Sequence, residues 1–508
     1  MSKHKQKSLE ELVLIVNEAK PRGLKVVLAH GVFDLLHYGH MRYLEQSKAL
    51  GNLLIVSVVA DKFVKKGPGK PVYNQNVRLY SIAALEYVDY VVLCDDLGPW
   101  GILEALQPQI YSRARDVAHL LNDPNSGLSK DKQIVEAIGG KLVFVDEVPG
   151  FHSSGILNEY FPVHPPEVAS FLRLFKQKYT ADEVIQKIDQ LKNLRVLVVG
   201  ETIIDRYCYT VPLGRANKAN ILSTQTIGEE DFAGGSLACA NHVAGICGSV
   251  DLVTYIGEEP SMGNFIEGKS KSNITPHLFV CSDRPTVLKT RFIDQAYFAK
   301  LFEYCNFNQA YLPHRIEKEV IEFLEKNLRN YDLVIITDYG HGLLTPGIIE
   351  IISKSSRFIA ANVQTNSGNF GFNYITKYPR VDYACLDEIE LRLALQDRLD
   401  SIEEIAGRLM ENSPSIKNLI VTLGHKGSMA YIKGNNFFVP PLTIKVTDTM
   451  GAGDAYLAIS SPCLAGGFPL ELTAFVGNIA GAIATSILGN KAPVEKADLF
   501  RCIESFLR

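Results

Sequence analysis

Several features that assign proteins to special classes are scarce in this sequence. Its 508 residues include nine cysteines, and no two of them form a C-x-x-C pair. We therefore expect reduced thiols, and neither a zinc site nor a disulfide framework. The net charge of −4 gives no indication of a basic surface for nucleic acid or for an anionic membrane. The most membrane-like stretch, 473–488, falls short of the roughly 18 apolar residues that a membrane span needs.

Signals for targeting and for repetition are also missing. The segment 1–20 does not resemble a signal peptide, because its apolar run is short and is preceded by glutamates. No internal repeat or low-complexity tract interrupts the chain. We therefore expect a cytoplasmic protein that acts on small molecules and has no nucleic-acid or membrane partner.

Alternating strand and helix signals are what the sequence does contain. Apolar runs rich in β-branched residues at 25–30 and 53–60 flank a helix-like segment at 41–50, the β-α-β pattern of a parallel sheet. A second series of this kind opens at 195–200. Several prolines and an amphipathic helix separate the two series. The sequence therefore predicts an α/β protein with a first domain, a helical linker and a second domain at 1–157, 158–193 and 194–508.

The segment H-G-V-F-D-L-L-H-Y-G-H, residues 30–40, places two histidines at a predicted strand-to-helix turn. His37 and His40 stand three residues apart, so they share one helix face near its positive N-terminal end. Two imidazole donors and the exposed backbone amides would converge on one anion, and Gly39 lets a phosphate approach the backbone closely. Two histidines alone would more often cap a turn, but the full string after a strand favours a phosphate site.

This string resembles the G-x-F-D-x-x-H-x-G-H motif of the cytidylyltransferase-like nucleotidyltransferases, and the resemblance covers roughly residues 24–157. It implies a Rossmann-like domain in which His37 and His40 stabilise the α-phosphate of a nucleoside triphosphate while a sugar or alcohol phosphate attacks it. Further segments resemble other landmarks of that family, at 61–72, 76–89, 112–117 and 149–157. The resemblance implies that the nucleotide is bound by Gly31, Phe33, Asp34, Lys66, Arg78, Arg113, Ser153 and Ser154.

A second motif, D-T-M-G-A-G-D-A-Y-L-A at 448–458, carries the chemistry of the second domain. Gly451, Ala452 and Gly453 free backbone amides at a helix start, which makes an anion hole for a transferring phosphoryl group. Asp454 comes next and can take a proton from an attacking hydroxyl. A lone G-x-G would suit a turn with a capping aspartate, whereas the full string favours a catalytic loop.

The second motif resembles that of the ribokinase-like (PfkB) carbohydrate kinases, and the resemblance covers roughly 194–508. It implies an α/β domain with a small β lid that uses ATP and Mg²⁺. The segment 284–293 resembles the T-x-x-K-x-R strand of that family. The implied sugar-binding residues are Asp205, Gly234 and Gly235. The implied nucleotide-binding residues are Thr422, Gly424 and Gly427, and Glu390 is implied to orient Mg²⁺ through water.

The second domain also departs from this family pattern. Glu201 replaces the first aspartate of G-D-x-x-x-D, and His341 replaces a lysine in S-D-Y-x-K-G. Ala238 falls where the family has its sugar-binding asparagine, and N-V-Q at 362–364 falls where relatives have D-P-K. These changes leave the catalytic loop intact and alter the sugar pocket, so they indicate either an unusual acceptor or a weakened kinase.

Together the two resemblances point to the bifunctional heptose-phosphate kinase/adenylyltransferase family, which makes precursors of bacterial surface polysaccharide, although there the kinase comes first in the chain. They imply a C-terminal kinase that uses Mg²⁺ and ATP on a sugar or sugar phosphate. They also imply an N-terminal transferase that uses ATP or CTP on a sugar or polyol phosphate and releases pyrophosphate. The alternative is a working transferase that carries a degenerate kinase-like module for sugar binding or dimerisation. The kinase resemblance further implies a homodimer paired through the lid sheet.

Overall fold

A computed structural model describes residues 2–64, 71–122, 126–145, 164–432, 436–442 and 446–507. Its contacts divide the chain into two compact units, Met1–Ala169 and Ser170–Arg508. The boundary between the units falls inside the segment that the sequence predicts as a linker. Residues 170–193 therefore belong with the second unit, where the apolar side chains of Val184 and Ile188 are buried.

A five-stranded sheet forms the centre of the first unit. Its strands are β1 (Val26–Gly31), β2 (Leu53–Val59), β3 (Tyr90–Cys94), β4 (Ile110–Ala114) and β5 (Lys141–Val145). They lie in the order β3-β2-β1-β4-β5, and every neighbouring pair is parallel. The flanking helices are α1 (Leu9–Ala19), α2 (Tyr38–Ala49), α3 (Gln75–Ala83), α4 (Trp100–Leu106) and α5 (Gly127–Ala137). Short 3-10 helices span Ser2–Lys5, Lys20–Arg22, Asp61–Phe63 and Arg115–Asn122.

Both faces of this sheet are buried, which is why its strands are continuous apolar runs. Val27 and Ala29 pack into one hydrophobic cluster, whereas their neighbours Val26 and Leu28 pack into a second. This alternation is the two-residue period of a strand with a core on each side. The doubly covered parallel sheet confirms the Rossmann-like architecture expected for the first domain.

Two sheets organise the second unit. Its strands are β6 (Arg195–Gly200), β7 (Thr202–Arg215), β8 (Leu222–Gly234), β9 (Ser249–Gly257), β10 (Ile274–Cys281), β11 (Val287–Asp294), β12 (Ala299–Asn306), β13 (Leu333–Asp338), β14 (Ile359–Val363), β15 (Tyr383–Asp387), β16 (Leu419–Thr422), β17 (Ser428–Tyr431) and β18 (Phe437–Val439). The large sheet has the order β10-β9-β6-β13-β14-β15-β16-β17-β18 and is parallel except for its last two pairings. The small sheet has the order β12-β11-β7-β8 and confirms the predicted β lid.

Helices cover the large sheet. They are α6 (Pro166–Phe175), which spans the boundary between the units, α7 (Ala181–Gln190), α8 (Gly235–Ala244), α9 (Pro260–Lys269), α10 (His314–Asn327), α11 (Pro346–Ser355), α12 (Glu388–Leu395), α13 (Ile402–Asn412), α14 (Ala452–Ala465), α15 (Leu470–Thr485) and α16 (Lys496–Leu507). Short 3-10 helices span Leu191–Asn193, Leu328–Asn330, Ile375–Lys377 and Gly424–Lys426. None of the helices in the described part of the chain combines the length and apolar character that crossing a bilayer requires.

The parallel register brings distant residues to one edge of the large sheet. Gly200 at the end of β6 pairs with Thr337 of β13, and Asp338 pairs with Val363 at the end of β14. Parallel strands end at the same edge, and ligands bind beyond those carboxyl ends. The residues that follow these strands therefore lie where a ligand site is expected.

Candidate active sites

In the first unit, the two predicted histidines meet at the start of helix α2. His37 is the N-cap residue, and its Nδ1 accepts a hydrogen bond from the backbone N–H of Gly39 at 3.1 Å. The neutral imidazole of His37 therefore carries its proton on Nε2. The ring centroids of His37 and His40 are 3.9 Å apart. The pair thus lies together at the positive end of a helix, where an anion is favoured.

The turn before this pair is held in an unusual backbone conformation. Phe33 and Leu35 have φ values of 54° and 45°, in the left-handed region that side chains seldom adopt. The buried Phe33 ring meets the ring of His40 edge-on at 5.5 Å and stacks on Tyr43 at 6.1 Å. A side chain at Gly31 would approach the Phe33 ring, since an added Cβ would lie 3.1 Å from it. Packing around Phe33 therefore fixes the turn that presents the histidines.

Asp34 is buried and binds the backbone of another loop. Its carboxylate accepts hydrogen bonds from the N–H groups of Val72 at 2.8 Å and Tyr73 at 3.0 Å. Asp34 thereby anchors the backbone at residues 72 and 73. Lys66 itself lies outside the described residues, as do Ser153 and Ser154.

Arg78 lies in the interior, and its contacts differ from the predicted contact with nucleotide. Its Nε donates to the carbonyl of Tyr73 at 2.9 Å, and one terminal nitrogen donates to the carbonyl of Val32 at 2.5 Å. The other terminal nitrogen donates to the carbonyl of Val59 at 2.7 Å and to the Asp61 carboxylate at 2.6 Å. The side chain has no exposed surface and joins the loops that follow β1 and β2.

Arg113 lies at the end of β4, beside β1. Its guanidinium donates to the carbonyl of His30 at 3.3 Å and to the hydroxyl of Tyr111 at 3.2 Å. His30 is itself neutral, because burial and the nearby charge of Arg113 lower its pKa well below the ordinary value. The positive charge of Arg113 therefore sits at the carboxyl edge of the sheet, close to the strand that leads into the histidine turn.

In the second unit, Asp454 occupies the first turn of helix α14. The hydroxyl of Tyr339, which follows β13, donates to Asp454 Oδ1 at 2.7 Å. Burial raises the pKa of Asp454 to about 6, the bond from Tyr339 opposes the rise, and the charges of Asp205 and Lys289 act in opposite directions. The carboxylate is thus ionised at neutral pH and has Oδ2 available as a proton acceptor.

Asp205 lies on β7 of the small sheet, close to Asp454. Arg291 of the neighbouring β11 donates to Asp205 at 2.5 Å and also pairs with Glu303 at 2.7 Å. Any side chain at position 234 would strike this carboxylate, because a Cβ added to Gly234 would lie 2.3 Å from Asp205 Oδ2. Gly235 has a φ of 58°, and α8 begins there. The structure therefore brings together the three residues predicted for the sugar site.

The loop before Asp454, where the sequence predicts an anion hole, leads into the first turn of helix α14. Gly451 has a φ of 76°, and an added Cβ would lie 2.1 Å from Oδ1 of Asn490. Ala452 opens the helix, and Gly453 is exposed. Asp448 holds the loop in place by accepting hydrogen bonds from the N–H of Met450 at 3.2 Å and from Gly489 at 3.1 Å.

Glu201, which replaces the first aspartate of the family motif, has a structural role. Its fully buried carboxylate accepts hydrogen bonds from the backbone N–H groups of Tyr339, His341 and Leu343, each at 3.1 Å. Burial and the charge of Asp338 raise the pKa of Glu201 to about 7. Glu201 thus shapes the loop that carries Tyr339 to Asp454.

Three residues of this site lie within motifs that the sequence analysis recognised but were not predicted as site residues. Tyr339 is one, and Lys289 and Arg291 of the T-x-x-K-x-R strand are the others. The charge of Lys289 acts on both Asp454 and His341. Burial and that charge lower the pKa of His341 to about 4, so its ring is neutral. The alternation of β11, with Lys289 and Arg291 on one face, is the sequence signal that would have found them.

The predicted nucleotide and metal residues lie at the ends of β15 and β16. Glu390 Oε2 accepts hydrogen bonds from the N–H of Asp387 at 2.8 Å and from Nδ2 of Asn362 at 3.1 Å, and burial raises its pKa to about 8. Within the described ranges, no group of three or more His, Cys, Asp or Glu side chains is placed to hold a metal ion. This donor set fits Mg²⁺ bound mainly by nucleotide phosphates and water, with one protein carboxylate nearby.

Thr422 ends β16, and the turn after it contains two glycines with positive φ. Gly424 has a φ of 57° and is exposed, whereas Gly427 has a φ of 97°. A Cβ added at Gly427 would lie 2.1 Å from the carbonyl oxygen of Val439, so this turn packs tightly on β18. The backbone at Gly424 is open, since nothing lies within 4 Å of a Cβ added there.

Comparisons with known proteins match one family in each part of the chain. The family described as "pfkB family carbohydrate kinase" matches residues 193–497, which is more than half of the chain. The family described as "Cytidylyltransferase-like" matches residues 28–154. These two matches lie in the order that the sequence predicts.

Several curated relatives match the N-terminal region of the chain. The "Bifunctional protein HldE" of Geotalea uraniireducens is 35% identical over 157 residues, which is 30% of this chain and 31% of the relative. The protein of the same name from Nitratiruptor sp. is 36% identical over 137 residues, 27% of this chain and 29% of the relative. The matched region thus spans about a third of the length of these relatives.

Solved structures match the second part of the chain. Phosphofructokinase-2 from Escherichia coli, in complex with substrates and products, is 17% identical with a TM-score of 0.51 and covers 62% of this chain and all of that one. The same enzyme in complex with potassium is 15% identical with a TM-score of 0.50. At this identity the likeness shows the fold alone.

Proposed function

The chain belongs to the pfkB family of carbohydrate kinases and carries a cytidylyltransferase-like domain ahead of the kinase domain, and from this premise we propose a bifunctional enzyme. Its second unit phosphorylates a sugar or sugar phosphate with ATP. Its first unit transfers a nucleotidyl group to a sugar or polyol phosphate and releases pyrophosphate. The product is a nucleotide-activated sugar, used for bacterial surface polysaccharide and made in the cytoplasm.

The observation that carries the kinase proposal is the placement of Asp454. Tyr339 occupies Oδ1, so Oδ2 remains to accept the proton of the acceptor hydroxyl. The hydroxyl oxygen then attacks the γ-phosphorus of ATP, and ADP leaves. The amides of the Gly451–Gly453 turn and the start of α14 stabilise the charge on the phosphoryl group in transit.

The acceptor is positioned from the small sheet. Arg291 fixes the side chain of Asp205. The absence of a side chain at Gly234 leaves room for the Asp205 carboxylate. Its carboxylate accepts hydrogen bonds from sugar hydroxyls and orients one of them toward Asp454. Positioning of this kind supplies much of the catalysis in phosphoryl transfer.

Mg²⁺ belongs to this proposal as a substrate-bound ion. It neutralises charge on the ATP phosphates when it is bound. A bound cation would favour the ionised form of Glu390, whose carboxylate would then orient the water ligands. Thr422, Gly424 and Gly427 would contact the nucleotide. Asn362 and the N–H of Asp387 hold the Glu390 side chain in one position for that role.

In the first unit, a phosphate oxygen of the acceptor attacks the α-phosphorus of the nucleoside triphosphate, and pyrophosphate leaves. The Nε2–H of His37 donates to an α-phosphate oxygen, and the adjacent His40 supplies a second donor. Arg113, Lys66, Ser153 and Ser154 are proposed to contact the nucleotide, while Arg78 positions the loops around it. ATP and CTP both fit the motif.

A second candidate function is a working transferase that carries a degenerate kinase module for sugar binding or dimerisation. The replacements at Ala238, at His341 and at 362–364 favour it, whereas Asp454 and the complete Gly-Ala-Gly string oppose it. The exposed apolar residues Leu213, Phe302 and Tyr304 on the small sheet support a homodimer under either proposal.

The deciding experiment measures product formation with a panel of sugars and sugar phosphates. ATP consumption by the wild type and by Asp454→Asn is compared, and products made with all four nucleoside triphosphates are identified by mass spectrometry. Turnover that depends on Asp454 supports the kinase. Nucleotidyl transfer without any Asp454-dependent turnover supports the degenerate module.

A further inference from the structure

The segment T-N-S-G-N-F-G-F-N, residues 365–373, follows directly on the N-V-Q that stands in place of D-P-K. In this asparagine segment, Asn369 and Asn373 are only 7% and 6% exposed, whereas Phe370 and Phe372 are 60% and 89% exposed. A segment held by apolar packing would show the reverse pattern, because burying an aromatic ring is favourable and burying an amide is costly unless it is hydrogen-bonded. The buried amides therefore hold this segment in place.

Two of the amides converge on the backbone carbonyl of Tyr339. Asn366 Nδ2 donates to this oxygen at 2.7 Å, and Asn369 Nδ2 donates to it at 2.9 Å. The two asparagines also hold each other, because the N–H of Asn366 donates to Oδ1 of Asn369 at 2.8 Å. Asn373 Nδ2 reaches the carbonyl of the preceding residue, Asp338, at 3.2 Å. The asparagine segment thus binds the carbonyls of residues 338 and 339, where β13 ends.

Gly340 makes room for these contacts. It has a φ of 71°, and a Cβ added there would lie 2.2 Å from Nδ2 of Asn369 and 3.2 Å from Nδ2 of Asn373. Any side chain at this position would push the amides away from the carbonyls that they bind, and it would also be strained by the left-handed backbone. The loop after β13 and the asparagine segment therefore fit one another closely.

Tyr339 is consequently held at three polar groups. Its N–H donates to Glu201 at 3.1 Å, and its hydroxyl donates to Oδ1 of Asp454 at 2.7 Å. Its carbonyl accepts the two bonds from Asn366 and Asn369. The backbone of Tyr339 sets where the hydroxyl meets the carboxylate, and a hydrogen bond weakens steeply as its geometry departs from the optimum. Fixing this backbone therefore fixes the bond to Asp454.

Several ionisable groups surround the Asp454 carboxyl. They are Tyr339 after β13, Asp205 on β7, Lys289 on β11 and Cys239 on α8. Burial raises the pKa of Asp454 to about 6, the bond from Tyr339 and the charge of Lys289 lower it, and the charge of Asp205 raises it. Burial and the charge of Asp454 raise the pKa of Cys239 well above its ordinary value, so this thiol is neutral. Loss of the Tyr339 bond would therefore leave less of the ionised carboxylate near neutral pH.

We propose that Asn366 and Asn369 are positioning residues of the kinase, which act through Tyr339 on Asp454. They hold the Tyr339 backbone so that its hydroxyl occupies Oδ1 of Asp454 and leaves Oδ2 toward the acceptor hydroxyl. The replacement at 362–364 then leads into a segment that supports the proton acceptor, and it does not indicate a degenerate module. The inference rests on the proposed kinase function.

A double-mutant cycle on the full chain tests this inference. Asn366→Ala and Asn369→Ala are combined, in the wild type and in Tyr339→Phe, which removes the hydroxyl and keeps the ring. Asn327→Ala at the end of α10 is the matched control, because its Nδ2 also donates to one backbone carbonyl, that of Phe323, at 2.8 Å. ATP consumption is measured from about pH 5.5 to 8.5, with the acceptor that gives the highest turnover in the sugar and sugar-phosphate panel.

We expect the combined asparagine variant to lower kcat by about tenfold, since a hydrogen bond to a charged group is weakened, with little change in KM for ATP. The acid limb of its kcat profile should move to higher pH by about one unit, because the Tyr339 hydroxyl no longer favours ionised Asp454. Neither quantity should change further when the same replacements are made in Tyr339→Phe. Asn327→Ala should behave as the wild type does. An unchanged kcat and acid limb, or an undiminished effect in Tyr339→Phe, would overturn the inference.

Thermal unfolding distinguishes this result from failure of the kinase proposal. If the wild type shows no Asp454-dependent turnover, the kinase proposal fails, and the coupling is measured from Tm instead. Tyr339→Phe should then lower the Tm of the wild type by more than that of the asparagine variant, in which the hydroxyl bond is already weakened. Equal losses in the two backgrounds would overturn the inference. Asn366→Ala alone, which leaves the Asn369 contact, is measured in the same way in case the combined variant does not fold.

Discussion

Replacing Asp454 with asparagine should abolish the proposed kinase activity and at the same time stabilise the second unit. Burial raises the pKa of this carboxyl from an ordinary 3.8 to about 6, so at neutral pH the folded protein holds an ionised group in an unfavourable place. A rise of this size corresponds to roughly 3 kcal/mol of folding free energy. Because the residue is only part-buried, we expect about 1–2 kcal/mol. The oxygen of asparagine can still accept the hydrogen bond from Tyr339.

The effect has a defined dependence on pH. The folded-state pKa lies above the unfolded value, so the cost of ionisation is absent below about 4 and complete above about 6. The advantage of Asp454→Asn should therefore be largest at pH 7.5 and fall to about half at pH 5. Calorimetric unfolding of both proteins across this range measures the difference, expected as a few degrees in Tm.

Asp382→Asn makes the same chemical change with the opposite expected sign. Asp382 is buried and pairs with Arg380 at 2.7 Å and Lys417 at 2.5 Å, so its replacement removes favourable contacts. It should lower Tm, whereas Asp454→Asn should raise it. The reasoning fails if Asp454→Asn is no more stable than the wild type at pH 7.5, or if its advantage does not shrink in acid.

Further predictions concern the two active sites. His37→Ala or His40→Ala should lower nucleotidyl transfer by about 10² or more, and unchanged pyrophosphate release would contradict that role. Arg78→Met should destabilise the first unit by about 3 kcal/mol or more, measured by thermal unfolding, because it leaves several buried acceptors unpaired; a wild-type Tm would contradict it. Gly451→Ala should lower kinase turnover and spare the transferase, since its left-handed backbone disfavours a side chain. Kinase rate should fall as pH drops through about 6, as Asp454 gains a proton; a flat profile would exclude it as the base.

The residues whose placement was predicted from the sequence belong to short strand-turn-helix segments. His37 and Gly451 are each the N-cap residue of a helix. The residues that determine such a helix start lie within about ten positions of one another in the sequence. The Gly-Ala-Gly string specifies positive φ and free amides without reference to the rest of the chain. Local pattern is therefore enough to predict that the histidine pair and the Gly-Ala-Gly string lie at helix starts.

Structural roles that depend on distant partners were not predicted, even where the residue itself was named as a site residue, as Arg78 was. Arg78 contacts the carbonyl of Val32 across 46 residues of sequence, and Glu201 binds Leu343 across 142. His242 takes its hydrogen bond from Val494, 252 residues away. In the sequence each is an ordinary polar residue within a helix or after a strand. Only the folded structure shows that Arg78 joins two loops in the interior and that Glu201 shapes a loop. It also shows that Nε2 of His242 has no hydrogen-bond partner among the described residues.

Asp448 restricts how the second unit can move. Its carboxylate, whose side chain is 2% exposed, accepts hydrogen bonds from Tyr207 on β7 at 2.6 Å and from Lys300 on β12 at 2.7 Å, as well as from the catalytic loop. Sliding the small sheet away from that loop would strip a buried charge of its partners, which is costly. We therefore expect the small sheet and the Gly451–Gly453 turn to move together. Any closure over a substrate would then need a hinge elsewhere in the chain.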